Sequence, residues 1–246
     1  MRSEKNFPRY FLDGPDYYTF LALLMTKFQP NSYFEIGVFK GKSLRNAECA
    51  TVGVDPNFSL RGLDIVGKKP SLHLFQMESD SFFEKKNLFD YFENGIDLAF
   101  LDGMHLFEYL LRDFINAEKY SHTHSLYLMH DCLPINAEMT ERQANKAARK
   151  DVELASHWTG DVWKLVPILQ KYRPDLTINI LDCTPTGLVA LSNLDSNNTI
   201  LKDNYESIVA EFMSVEMTDA TIGDFRNGLT ICPAKLFLEQ IQGRAK

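Results

Sequence analysis

Short apolar runs recur along this chain, separated by stretches in which apolar residues return every three or four positions. Tyr33 to Ile36, Thr51 to Val54, His73 to Met77, Ile96 to Leu101 and Ser125 to Met129 read as strands, apolar almost throughout. Between them, Ser81 to Phe92 carries Phe82, Phe83, Leu88, Phe89 and Phe92 on one helical face, and Phe107 to Tyr120 is a second helix. A short helix over residues 42 to 49 follows a glycine turn. Upstream, Asp13-Gly14-Pro15 leads into Asp16 to Phe28, where Tyr17, Phe20, Leu21, Leu24 and Phe28 predict an amphipathic helix that covers the sheet and ends at Pro30-Asn31.

Strands this apolar have both faces buried, and strand–helix alternation implies a parallel sheet with right-handed crossovers and helices on both sides. The rhythm breaks at 132 to 160, a polar stretch of helical composition ending at His157-Trp158-Thr159-Gly160, read here as a lid insert. Asp161 to Tyr172 predicts another helix. Leu176 to Leu181 and Gly187 to Leu191 predict a closing strand pair. Further helices are expected near Asn204 to Phe212 and Pro233 to Gln242. The expected organisation is one domain over 1 to 246, with 1 to 30 as the covering helix, 132 to 160 as the lid and 200 to 246 as a C-terminal extension. The irregular extension could support a homodimer.

Composition narrows the function. A formal charge of -7 gives no overall pull toward nucleic acid. No run of 18 apolar residues occurs, and Met1-Arg2-Ser3-Glu4-Lys5-Asn6 leads into a proline and aromatics, so neither a spanning helix nor a signal segment is expected. Cys49, Cys132, Cys183 and Cys232 are far apart, with no CxxC or zinc spacing, which suits reduced thiols and a cytoplasmic location. The expected partner is a small molecule, without nucleic acid or membrane.

Candidate chemistry gathers at strand ends. Glu35-Ile36-Gly37-Val38-Phe39-Lys40-Gly41-Lys42-Ser43 takes an apolar strand into a glycine turn, and Val54-Asp55 ends the next strand. Gly37 and Gly41 would let a ligand approach the backbone, and a carboxylate at Asp55 can accept from ribose hydroxyls. The other reading is ordinary turn glycines, a solvent-facing Glu35 and an aspartate that starts a loop. Buried, Glu35 would need a partner, met by ordering the turn or by a cationic ligand group. Asp80 can accept from an adenine amino group or cap the helix beside it. The fourth and fifth strands end in Asp102-Gly103-Met104-His105 and His130-Asp131-Cys132, so Asp102, His105, His130 and Asp131 could share one crevice. His105 is the preferred general base. Asp102 and Asp131 could also hold Mg²⁺. The plainer reading pairs His130 with Asp131 or the backbone and makes His105 a helix cap. Glu108 and Arg112 fit a surface i,i+4 pair. Beyond the lid, Trp163 could stack on a substrate ring and Lys164 hold an anionic group, or both could simply start a helix.

With these residues in place, the chain over roughly 30 to 191 resembles the class I S-adenosylmethionine-dependent methyltransferases. Glu35 to Gly41 is similar to the family's first motif, Asp55 to its ribose position and Asp80 to its adenine position. Asp102-Gly103-Met104-His105 with His130-Asp131 resembles a bacterial subgroup with Asp-Gly-x-His after the fourth strand. The resemblance implies a doubly wound, Rossmann-like α/β fold of seven strands with the last antiparallel. It implies cofactor contacts at Glu35, Gly37, Gly41, Ser43, Asp55, Asp80 and Asp102. The motifs do not encode the acceptor; small size, the lid and one tryptophan point to O-methylation of a small hydroxylated or sugar-like molecule, with an amine as the alternative. Catechol-type relatives bind a divalent metal. Asp102 and Asp131 match two of its ligands, and Cys132 stands where a third oxygen is expected. A nicotinamide oxidoreductase is the rival enzyme, opposed by the absence of GxGxxG. A non-catalytic binding protein on the same fold is the rival from another class.

Overall fold

The computed structural model describes residues 12–241. Eight strands form one sheet in the order β3-β2-β1-β4-β5-β7-β6-β8. They are β1 (Ser32–Ile36), β2 (Ala50–Val54), β3 (Leu72–Phe75), β4 (Leu98–Leu101), β5 (Leu126–His130), β6 (Thr177–Leu181), β7 (Leu188–Ser192) and β8 (Ile231–Cys232). The first five run parallel, and β7 lies antiparallel between β5 and β6. The expected seven strands become eight because Ile231 and Cys232 add to the free edge of β6. Asp182 fixes that join: its side chain accepts from Ala234 N at 2.7 Å and its amide donates to Cys232 O at 3.3 Å.

Alternate residues of each central strand feed two apolar layers, as the period of two requires. Phe34, Ile36, Ala99, Leu101, Tyr127 and Met129 face α2 (Ser79–Lys85), α3 (Phe107–Glu118), α4 (Leu165–Tyr172) and α6 (Tyr205–Met213). Tyr33, Leu98, Phe100, Leu126 and Leu128 face α1 (Tyr17–Phe28) and α8 (Ala234–Gln240). Short helices α5 (Ile200–Asp203) and α7 (Ile222–Asn227) complete the C-terminal segment. Asp16 starts α1 by accepting from Tyr18 N and Thr19 N at 3.1 and 3.2 Å. The N-terminal part of the expected covering segment, and the predicted helix end at Gln242, lie outside the described residues. No helix among the described residues is long and apolar enough to cross a membrane.

Four expectations change. The helix over 42 to 49 is a single 3₁₀ turn, Leu44–Asn46. The helix toward Phe92 stops at Lys85, because the Asn87 side chain accepts from Phe89 N and starts a separate 3₁₀ turn. The segment 132 to 160 is not helical. It holds two 3₁₀ turns, Ala137–Thr140 and Lys146–Ala148, among bends. Its side chains bond the loop's own backbone instead: Asn136 caps Met139 N, and Arg149 donates to Ala155 O and His157 O. The expected helix from Asp161 begins as a 3₁₀ turn, Val162–Lys164, before α4.

The chain passes from β3 at one edge to β4 on the far side of β1. Strand order reverses there, and a crevice opens beyond the carboxyl ends of β1 and β4.

Candidate active site

That crevice is a cavity of about 850 Å³, lined by residues from every strand end the sequence singled out: Gly37, Asp55, Asp102, His105, His130 and Asp131 among them. A volume of this size accommodates a nucleoside cofactor beside a small acceptor.

Beneath the glycine turn, Glu35 is fully buried. Tyr33 Oη donates to its Oε2 at 2.7 Å, and Ser43 Oγ donates to Oε1. Burial pushes the Glu35 carboxyl up to about 8, against those two hydroxyls. Glu35 therefore orders the turn from below, through Ser43, and both of its oxygens have protein partners. Gly37 has φ +89°, and a Cβ there would lie 1.9 Å from Asp102 O. Glycine is required there because the turn leaving β1 runs against the backbone that leaves β4. Gly41, at φ +71°, packs under Leu60 and Ile65. Asp55 lines the cavity while its oxygens accept from Phe39 N and Asn57 N, each at 2.7 Å. It ties the turn to the end of β2.

Asp80 lines the cavity in the first turn of α2, where Glu78 holds the cap position. Its carboxylate is paired with Arg112, Oδ2 to Nη2 at 2.7 Å and Oδ1 to Nε at 2.9 Å. This corrects the i,i+4 expectation. Arg112 reaches across to α2, and Glu108 pairs instead with Arg142 of the 132 to 160 segment. Longer-range partners with forked geometry outcompete the exposed helical pair.

The four groups at the ends of β4 and β5 do meet. His130 Nδ1 lies 3.2 Å from Asp102 Oδ1 and 3.5 Å from Asp131 Oδ1. Burial disfavours the His130 charge, but Asp131 and Asp102 outweigh it and push the imidazole up to about 9. His130 is a buried cation between two carboxylates, which suits a structural charge and not a general base. Asp131 is held in the left-handed region at φ +61°, which aspartate tolerates better than most residues. Thr186 donates to its Oδ1. Its Oδ2 is 3.2 Å from His105 Nδ1. Trp158 O is 2.7 Å from that same nitrogen. A carbonyl only accepts, so Nδ1 carries a proton, and in the neutral ring Nε2 keeps the lone pair. Nε2 is 3.7 Å from Asp102 Oδ1. The arrangement suits proton abstraction through Nε2, with Asp131 orienting the ring and Asp102 beside the accepting atom. His122 bonds Asp97 at 2.8 Å, at the amino end of β4 and away from this cluster.

Trp163 and Lys164 are not part of it. Trp163 packs edge-on to Phe225 with centroids 5.2 Å apart, and Lys164 is 2 % exposed and bonds Asp161 at 2.9 Å. The 3₁₀ turn that seats α4 on α3 directs both to a separate cavity of about 580 Å³ along Met213 to Asp219. Aromatic groups that the structure does bring to the site include Trp158, Tyr17 and Tyr18. Trp158 stacks on His105, with centroids 5.0 Å apart and planes at 21°. Tyr17 packs 4.0 Å from His130, and both tyrosines line the cavity. Sequence patterning read Tyr17 only as a face of the covering helix. The adjacent pair at that helix's first turn was the available signal.

Asp102, His105 and Asp131 offer ligand atoms within 4.8 Å of one another. Magnesium suits oxygen donors, yet the third donor here is an imidazole, and the His130 ring, 3.2 Å from Asp102 and 3.5 Å from Asp131, competes for both carboxylates. Cys132, expected beside them, is fully buried and donates to His130 O at 3.4 Å. The residues present therefore do not suit Mg²⁺. They do suit a nucleoside cofactor. Val54, Pro56 and Met77 supply apolar walls beyond β2 and β3, and the turn at 37 to 43 forms one side.

No protein-family model and no curated protein matches this chain. Solved structures similar to it include the SAH-bound methyltransferase PaMTH1 of Podospora anserina, 12% identical over 72% of this chain and 78% of that one, with TM-score 0.49. An O-methyltransferase from Bacillus cereus in complex with SAH is 13% identical over 76% and 84%, at 0.45. TomG of Streptomyces achromogenes, an O-methyltransferase involved in tomaymycin synthesis and solved with SAM, is 14% identical over 71% and 78%, at 0.44. Likeness at this level assigns no activity to this chain.

Proposed function

We propose that this protein is an S-adenosylmethionine-dependent O-methyltransferase acting on a small hydroxylated acceptor. One observation carries the reading: a single cavity joins the switch-point crevice at Gly37 and Asp55 to a histidine whose Nδ1 is held by acceptors. When bound, the cofactor supplies an activated methyl group on a sulfonium. The turn at Gly37 to Ser43, Asp55 and Asp80 holds its nucleoside and amino-acid parts, while Asp102 adds negative charge that suits a cationic ligand. On the other side, Tyr17, Tyr18 and Met104 enclose the acceptor. His105 Nε2 takes the hydroxyl proton as the oxygen attacks, and Asp131 steadies the ring as charge develops. His130 keeps the two carboxylates apart and oriented.

The organisation that serves this reading is one domain, with the lid at 132 to 160 over the base and the C-terminal extension closing the sheet edge. Four free thiols are consistent with a cytoplasmic enzyme.

Calorimetry with S-adenosylmethionine, S-adenosylhomocysteine and NAD separates the readings. The two methyl-cycle ligands are expected to bind and NAD not. A methyl-labelled donor offered with a panel of small phenols, polyols and sugars then reports transfer. NAD binding without either adenosyl ligand sinks the proposal, and adenosyl binding without transfer to any acceptor favours a non-catalytic protein.

A further inference from the structure

We propose that Trp158 is the positioning residue for His105, so that the lid segment supplies the group that decides which imidazole nitrogen accepts the proton. The inference rests on the proposed role of His105 in methyl transfer. Trp158 meets His105 twice: its indole stacks on the imidazole face, and its backbone oxygen accepts a hydrogen bond from Nδ1–H at 2.7 Å. The indole is itself anchored, Nε1 donating to Glu141 O at 2.6 Å across the lid. The next residues hold the backbone of both partners. Thr159 N and Gly160 N each donate to Met139 O at 3.0 Å, and Asp161 N donates to His105 O at 3.2 Å. Gly160 has φ +56°, and a Cβ there would sit 1.7 Å from His105 O, so the lid passes directly over the backbone that carries the base. The Trp158 carbonyl and Asp131 select the Nδ1–H form only while the ring keeps its angle, and neither stops it turning about its side-chain bonds. The stack removes that freedom.

The test reads the tautomer before any chemistry. Long-range proton–nitrogen correlation spectra of the ¹⁵N-labelled, cofactor-free protein are expected to show His105 as the Nδ1–H form. In Trp158→Ala the two tautomers should mix, and kcat should fall about 10- to 100-fold while the dissociation constant for S-adenosylhomocysteine holds. Trp158→Phe keeps a ring on the imidazole and should recover most of the tautomer bias and the turnover. An Nε2–H tautomer in the unmodified protein overturns the proposal, whether or not the alanine variant folds. So does a Trp158→Ala protein with unchanged spectrum and unchanged kcat. If the unmodified protein transfers no methyl group yet shows the Nδ1–H form, lost in the alanine variant, the methyltransferase reading fails and the positioning role stands.

Discussion

At the scale of the residue, one imidazole separates chemistry from architecture. His105→Gln should lower methyl transfer by about 10²- to 10⁴-fold, the usual worth of a positioned general base. Calorimetry with S-adenosylhomocysteine should meanwhile read an unchanged affinity. Turnover within a few-fold of the unmodified protein would move the base elsewhere. Gly37 answers to packing. Gly37→Ala places a methyl group against Asp102 O at φ +89°, and urea unfolding should register a loss of about 2–4 kcal/mol. Asp-Gly-x-His and the acids at strand ends were legible because each is a local pattern. The charge state of His130 was not. It follows from two carboxylates on different loops, Asp102 and Asp131, brought within hydrogen-bonding range of a buried ring. The pairing of Arg112 was misread for the same reason, since Asp80 is absent from its helix.

Among the elements, α3 and α4 are joined by a buried clamp. Arg173, fully buried after α4, donates to both Glu118 oxygens at the end of α3, at 2.7 and 2.9 Å, and also pairs with Asp175. Glu118 also accepts from Asp195 N. Glu118→Ala leaves a guanidinium without its buried partner and should cost about 3–5 kcal/mol in chemical denaturation. A loss below 1 kcal/mol, the range of exposed pairs, would show that Asp175 and solvent suffice. Strand and helix positions were legible in outline because apolar periodicity is a property of neighbouring residues. The 132 to 160 segment was visible as a break in that periodicity. Its lack of helix was not, since helical composition is a weak guide where side chains such as Asn136 and Arg149 bond loop backbone instead.

For the molecule as a whole, buried groups set the dependence of stability on pH, Glu35 and His130 among them, with Asp113 pushed up to about 7 by burial and acting in the same direction. Glu35 keeps its proton in the folded state up to about 8, against 4.5 ordinarily. Its contribution is full below 4.5 and is lost as pH rises through 8. His130 stays charged to about 9, against 6.5 ordinarily, so its contribution is full below 6.5 and is lost as pH rises through 9. Both slopes have one sign. The melting temperature should fall between pH 6.5 and 9, and Glu35→Gln should flatten the lower part of that fall. A melting temperature that is level or rising over this range contradicts both assignments. The same buried charge bears on metals. With His130 held against both carboxylates, dialysis against EDTA should leave transfer unchanged. Activity lost to the chelator and restored by Mg²⁺ would show that the imidazolium yields to a metal.

By itself the sequence determined the alternation of strands and helices, the sharp turn after β1, and the placing of acids and histidines at strand ends. These are local matters of side-chain period, backbone freedom and chain order. The tertiary structure alone decided which partners those side chains meet. It turned Trp163 and Lys164 away from the cavity, added β8 from the distant C-terminal segment, and laid Trp158 over His105. The physical reason is that burial and hydrogen bonding depend on groups far apart in the chain, whose encounter is fixed only when every layer of the fold has closed.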